Sequence, residues 1–268
     1  MKTLLIDAGN SHLKWVMLEA GLLSIQQSFS YEKKTPVQQL NRVIDSIQKE
    51  CDSILMVSVL GDAFAAEAQE TADDKGIKLE IVKSQSELAG IKNAYNEPHK
   101  LGTDRLVAMV AAYKLANLDS DVPQACIVID SGTATTVDAV NELGQHLGGI
   151  IMPGLSLCSE SLLDNTQLLS LCNRDNQDFI PDCFSKDTST AIASGCLLGL
   201  AGGIDSICDK MEKALNKTQN KNSMLETASV KRIICGGAAK KLYPHLQSNV
   251  LIQENLLMLG LQAIKEDS

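Results

Sequence analysis

Twice in this chain an apolar run breaks at an aspartate, a small residue and a glycine. The first is Leu4-Leu5-Ile6-Asp7-Ala8-Gly9-Asn10-Ser11 and the second is Cys126-Ile127-Val128-Ile129-Asp130-Ser131-Gly132-Thr133. Each run is short, aliphatic and closed by turn residues, which is the pattern of a buried strand. Glycine lets a backbone come close to a ligand, and exposed amides and hydroxyls donate hydrogen bonds to phosphate oxygens. The aspartates can hold a metal ion or its waters. Either stretch alone is an ordinary hairpin turn, where Asp, Gly, Asn and Ser are common. Two copies at the same point of two similar strand patterns predict a nucleotide held between two similar halves.

A length of 268 residues suits two halves, each able to bury most of its apolar surface. In the first half, residues 2–8, Leu13–Leu18 and Leu22–Ser30 read as a three-strand meander, followed by a helix over Val37–Glu50 with Val37, Leu40, Ile44 and Ile47 on one face. Ile54–Val59 and Ile77–Val82 read as strands around a helix over Ala63–Asp74. Periodicity is lost from Ser84 to Leu101, and a helix then begins near Gly102-Thr103-Asp104-Arg105.

Polar Asp119-Ser120-Asp121-Val122-Pro123 is the best boundary, which divides the chain into domains 1–118 and 119–268. Beyond it the meander repeats over Ala125–Asp130, Thr135–Val140 and Leu147–Met152. Helices follow over Leu155–Leu171 and Ser189–Ala214, and Asn216–Ser223 reads as an exposed excursion. Strands at Lys231–Cys235 and Val250–Gln253 precede a last helix, Asn255–Lys265. That helix, about 255–268, is a candidate to pack back on the first domain. The expected fold class is therefore α/β: two similar domains, each a mixed sheet opened by an antiparallel three-strand meander and flanked by helices.

The net charge of -9 argues against a general nucleic-acid binder, which needs clustered Lys and Arg. No apolar run reaches the roughly 18 residues of a membrane span, and the acidic start is no signal peptide. The eight cysteines include no Cys-x-x-Cys pair and read as buried, reduced thiols of a cytoplasmic protein; with four scattered histidines they offer no zinc site.

Asp104 suits a helix start, where a carboxylate meets free amides and the positive end of the dipole. Arg105 beside it offers a planar fork for a carboxylate or phosphate ligand. Lys14, on the return strand of the first hairpin, is either solvated or turned to phosphates at the tip. The small residues Gly236-Gly237-Ala238-Ala239 form a strand-to-helix turn with room for a base or ribose.

Taken together, the order and spacing of these stretches resemble the type III pantothenate kinases, a branch of the acetate and sugar kinase, Hsp70 and actin superfamily. The resemblance runs through Asp7-x-Gly9-Asn10-Ser11, Tyr95 ahead of Gly102-Thr103-Asp104-Arg105, and Asp130-Ser131-Gly132-Thr133-Ala134-Thr135-Thr136-Val137-Asp138. It continues through Gly148-Gly149-Ile150-Ile151-Met152-Pro153-Gly154, Thr188-x-x-Ala191-Ile192-x-Ser194-Gly195 and Gly236-Gly237.

This resemblance implies two ribonuclease H-like (actin-like ATPase) domains and transfer of the ATP γ-phosphoryl group to pantothenate, the first step towards coenzyme A. It implies Asp104 as catalytic base and a pantothenate pocket of Tyr95, Gly102, Thr103, Asp104, Arg105 and Thr188, the last offered across a homodimer interface. ATP would be held by Asp7, Ala8, Gly9, Asn10, Ser11, His12, Leu13, Lys14 and Thr133. Magnesium would lie at Asp7, and a monovalent cation, K+ or NH4+, at Asp130. Ala8, Ser11 and Asp187 stand where valine, threonine and asparagine are more usual in the family. Two rival readings share the Asp-x-Gly turns: another kinase or phosphatase of the superfamily, and a nucleotide-binding regulator without catalysis.

Overall fold

The computed structural model describes residues 2–31, 35–47, 51–164, 179–219, 230–247 and 249–267. In chain order the first elements are β1 (Lys2–Ala8), β2 (His12–Glu19), β3 (Leu22–Leu23), β4 (Gln27–Ser30), α1 (Pro36–Ile47), β5 (Ser53–Ser58), α2 (Gly61–Asp74) and β6 (Lys78–Ile81). A small hairpin, β7 (Glu87–Leu88) with β8 (Ile91–Lys92), precedes α3 (Thr103–Asn117). Next come β9 (Cys126–Ser131), β10 (Ala134–Val140), β11 (His146–Pro153), α4 (Leu155–Asp164), α5 (Thr188–Gln219), β12 (Lys231–Cys235), α6 (Ala239–Leu242), β13 (Val250–Ile252) and α7 (Leu256–Asp267).

The chain forms two compact units. Unit 1 comprises Met1–Asp119, Gly144–Leu147 and Asn255–Ser268; unit 2 comprises Ser120–Leu143 and Gly148–Glu254. The sheet of unit 1 has the order β3-β2-β1-β5-β6, with β4 also on β2, and that of unit 2 the order β11-β10-β9-β12-β13. With β3 and β4 counted together as the third strand of unit 1, both sheets run third, second, first, fourth, fifth. In each, the first two strands are antiparallel and the fourth is parallel to the first.

In unit 1, Leu4, Ile6 and Ala8 of β1 share a core with Leu40, Val43 and Ile44 of α1 and Phe64 and Ala68 of α2. The alternate residue Leu5 is fully buried as well, and β1 also contacts α7. Burial on both faces is what makes β1 read as a continuous apolar run. Thr35 starts α1 with a reciprocal cap: its Oγ1 accepts the Gln38 N–H, and Gln38 Oε1 accepts the Thr35 N–H. The third strand expected over Leu22–Ser30 is broken in two. Ser24 Oγ accepts the Met17 N–H at 2.9 Å, which diverts a backbone donor of β2 to a side chain.

The stretch expected to be an irregular loop carries β7, β8 and a 3-10 turn, Pro98–Lys100. Ser84 Oγ and Asn93 Nδ2 both donate to the Pro98 carbonyl and tie its two ends together. Helix α3 is buried from Arg105 through Ala112, not on one stripe alone. It packs against α7, β5 and β8, and α7 comes so close at Gly260 that a Cβ there would collide with the Val107 carbonyl.

The core of unit 2 joins Ile127 and Ile129 of β9 and Val137 of β10 to Leu197, Leu200, Ala201, Ile204 and Cys208 of α5. This corrects the expectation about span-length apolar stretches. By length and composition a stretch of α5 could cross a membrane, but its Leu197, Leu200, Ala201 and Ile204 are buried in the core of the unit. Its apolar character serves the core. The helix also continues to Gln219, past Asn216, where an exposed excursion was expected. The expected helix over Leu155–Leu171 is seen as far as Asp164, and its remainder lies outside the described residues.

Burial pushes the thiols of Cys126 and Cys208 up to about 12, so neither is nucleophilic at neutral pH. Cys183 is exposed, contrary to the expectation that the cysteines are buried, and Cys51 and Cys158 are half-buried.

Candidate functional site

In unit 1, β1 delivers Asp7 to the end of the strand opposite Lys14 of β2. The Asp7 carboxylate is largely buried, with the Lys14 ammonium 3.8 Å away. Gly9 N–H donates to the His12 carbonyl at 3.1 Å and closes the turn, while Asn10, Ser11 and His12 are exposed at its tip. Ala8 and Leu13 are fully buried core residues, so only their backbone is available to a ligand.

Tyr31 lies beside this turn, its N–H donating to the Ser11 carbonyl at 3.2 Å. The Tyr31 hydroxyl is buried without a hydrogen-bond partner among the described residues. Burial first, and the Asp7 charge second, hold its pKa well above the usual phenol range. Tyr31 is not legible from sequence as a site residue. It ends a broken strand, and only the pairing of His12 with Ser30 brings it to the turn.

The second turn is one residue tighter. Gly132 N–H donates to the Ala134 carbonyl at 3.0 Å, and the register places Thr136, not a lysine, opposite Asp130. Two further segments clasp this turn. Gly154 N–H donates to the Thr133 carbonyl at 3.0 Å, and Ala238 N–H to the Ser131 carbonyl at 2.9 Å. Both approaches require glycine. A Cβ at Gly154 would collide with the Gly132 and Thr133 carbonyls. Gly236, at φ +92°, would place a Cβ 2.5 Å from Asp130 Oδ1 and from the Ser131 carbonyl group. Below the turn, the Ser131 and Thr135 hydroxyls share a fully buried hydrogen bond of 2.8 Å. Thr133 itself is exposed at the tip.

Asp104 and Arg105 stand in the first turn of α3, behind Gly102. The Asp104 carboxylate accepts the Arg105 N–H at 2.8 Å through Oδ1, and a Cβ on Gly102 would fall 2.6 Å from that oxygen. Glycine thus leaves the space the carboxylate occupies. The buried Arg105 guanidinium donates through Nη1 to the Tyr95 hydroxyl at 2.9 Å, its carbon 5.8 Å from the tyrosine ring centroid. The fold therefore brings Tyr95, Gly102, Thr103, Asp104 and Arg105 together in unit 1.

In unit 2, Thr188 is exposed as the first residue of α5, and Asp187 caps the helix. The Asp187 carboxylate accepts the Thr190 N–H at 2.9 Å and its hydroxyl at 2.8 Å; these bonds hold its pKa below the usual carboxylate value. The negative charge at 187 is thus engaged in capping. Thr188 lines an apolar groove of about 690 Å³ with Met152, Cys158, Leu162, Ile192 and Gly195.

Among the described residues no three His, Cys, Asp or Glu side chains converge to hold a metal. Each Asp-x-Gly turn offers one carboxylate beside backbone and hydroxyl oxygens. That donor set suits an ion which also keeps phosphate or water ligands, as magnesium does, or a weakly bound monovalent cation.

Comparison with known proteins points to one family. A family model described as Type III pantothenate kinase matches residues 3–210. The chain is 30% identical to the type III pantothenate kinase of Janthinobacterium sp. (strain Marseille), over 97% of this chain and 96% of that one. It is 32% identical to the enzyme of that name from Herminiimonas arsenicoxydans, over 97% and 96% of the two chains. Among solved structures, a Baf family protein from Campylobacter jejuni superposes with a TM-score of 0.56 at 17% identity, over 98% of both chains, which is a likeness of fold.

Proposed function

The chain belongs to the type III pantothenate kinase family, and from that membership we infer how its own residues carry the family's reaction. That reaction is ATP-dependent phosphorylation of pantothenate, the first step of coenzyme A biosynthesis. The two units have the actin-like ATPase fold.

Asp104 is the base that takes the proton from the pantothenate hydroxyl. A carboxylate placed at the hydroxyl can accept that proton as the alkoxide forms. Gly102, Thr103, Arg105 and Tyr95 form the pocket, and the guanidinium fork suits the carboxylate of pantothenate. What supports this reading is the Asp104 carboxylate seated over Gly102, next to the Arg105–Tyr95 pair.

Phosphoryl transfer asks mainly for positioning and charge neutralisation. The backbone of residues 7–13, the Asn10 and Ser11 side chains and Lys14 meet the ATP phosphates, and Thr133 is assigned to ATP as well. Asp7 would hold magnesium, a reading supported by its buried carboxylate and by the orphaned Tyr31 hydroxyl beside the turn, which suits a hydrated ion. Asp130 holds a monovalent cation. This reading is supported by Gly236, whose missing Cβ leaves the place that Asp130 Oδ1 occupies, and by the register, which sets a threonine and not a lysine opposite Asp130. When bound, these ions supply positive charge against the phosphates.

We also infer a homodimer in which Thr188 completes the partner's pantothenate pocket. The apolar groove and the exposed Gly195 and Gly199 of α5 support it, since small residues let two helices approach closely.

The direct test is Asp104→Asn. Removing a general base lowers turnover by about 10²- to 10⁴-fold, and ATP affinity measured by calorimetry should stay within about twofold of the parent. Near-normal turnover in this variant would remove Asp104 from the mechanism.

A further inference from the structure

Gly144–Leu147 is a strap of four residues that belongs to unit 1, although β10 before it and the chain from Gly148 onward belong to unit 2. Its anchorage is specific. Lys92 N–H donates to the Gly144 carbonyl at 2.9 Å, and Lys92 and Gln145 form an isolated parallel bridge, so the strap lies along β8. Gly144 has φ +72°, and a Cβ on it would collide with the Gly90 carbonyl and lie 3.7 Å from the Tyr113 ring. Only glycine allows that approach.

The strap brings His146 to Tyr95. The His146 side chain is 2% exposed, and its ring stacks on that of Tyr95 with centroids 6.1 Å apart and planes inclined by 17°. This is the separation of an offset aromatic stack. The other end of Tyr95 is its hydroxyl, which receives the Arg105 Nη1–H at 2.9 Å. One buried ring therefore sets the plane of a second, and the second sets where a guanidinium fork points.

We propose that His146 is a positioning residue for pantothenate: it fixes the Tyr95 ring, and through the Tyr95 hydroxyl it fixes Arg105. A binding group is only as well placed as the side chains that pack behind it. The inference rests on the assignment of Tyr95 and Arg105 to the pantothenate pocket. It extends that pocket to a residue the family motifs in this chain do not include. Sequence alone offers little sign of it, because His146 is a lone histidine at the start of β11 and its partner stands some fifty residues earlier.

The test is steady-state kinetics on four variants, with melting temperatures to confirm that each is folded. His146→Ala should raise KM for pantothenate by roughly two- to tenfold, the range of an aromatic contact, with kcat and KM for ATP within about twofold of the parent. His146→Phe, which keeps a flat ring, should restore KM. Tyr95→Phe should itself raise KM for pantothenate. The double variant His146→Ala/Tyr95→Phe should be no worse than Tyr95→Phe alone, because the link to Arg105 has already been cut.

A His146→Ala enzyme with unchanged KM for pantothenate, or one equally impaired in the Tyr95→Phe background, would overturn the proposal and leave the pocket assignment standing. So would a folded His146→Ala enzyme impaired equally towards ATP. If Tyr95→Phe leaves KM for pantothenate unchanged, the pocket assignment falls first, and the role of His146 with it.

Discussion

Asp7 and Asp130 look interchangeable as letters, yet the structure gives them different surroundings. Both end the first strand of a meander, but the turn after Asp130 is one residue tighter, so Thr136 replaces the lysine that faces Asp7. The pair of aspartates was legible from the repeated strand-to-glycine pattern. Their cross-strand partners were not, because register depends on turn length and a slip of one residue changes every pairing. The seating of the Asp130 carboxylate also depends on Gly236, which follows a strand about a hundred residues later. If Asp130 holds the monovalent cation, Asp130→Ala should abolish the difference between rates in potassium and in sodium. Gly236→Ala should do the same and also lower the melting temperature, since a left-handed alanine pressed against backbone costs about 1–3 kcal/mol. An Asp130→Ala enzyme whose rate still rises normally with potassium would contradict the assignment.

At the scale of elements, starts were easier to read than surroundings. Thr35-Pro36-Val37-Gln38 and Asp187-Thr188-Ser189-Thr190 carry their caps in local sequence, and both helices begin there. The burial of α3 on nearly all sides was not legible, because it depends on α7, which packs through Gly260 and comes from the far end of the chain. Helix α5 shows the reverse. Its glycines at 195 and 199 are not needed for internal fit, since a Cβ at either meets nothing within 4 Å. A helix that keeps such residues loses stability relative to alanine, by roughly 1 kcal/mol each, and close approach by a second copy is the reason we assign. Gly199→Leu should therefore leave the melting temperature of the separate chain unchanged or higher. In sedimentation it should convert dimer to monomer, and it should raise KM for pantothenate by removing the partner's Thr188. A parent enzyme that sediments as a monomer, or a variant still dimeric with unchanged KM, would refute the shared site.

For the whole molecule, the duplication foreseen from two short motifs is present as a six-strand and a five-strand sheet that share one strand order once β3 and β4 are counted as a single broken strand. Pattern reading put forward the last helix as a candidate for the first domain, but it gave no sign of the strap of four residues, from inside the second half, that also belongs to unit 1. Hydrophobic periodicity reports which face of an element is buried, but not which unit buries a turn. The strap carries His146, and α7 underlies α3, so pieces remote in sequence support the turn that bears Asp104 and Arg105. The central claim is that this assembly phosphorylates pantothenate from ATP. Its most direct measurement is ADP release by the purified chain with ATP and magnesium, with and without pantothenate, in potassium and in sodium. ADP formation should require pantothenate, match it one for one and be faster in potassium. ADP released equally without pantothenate, or nucleotide bound with no turnover, would contradict it.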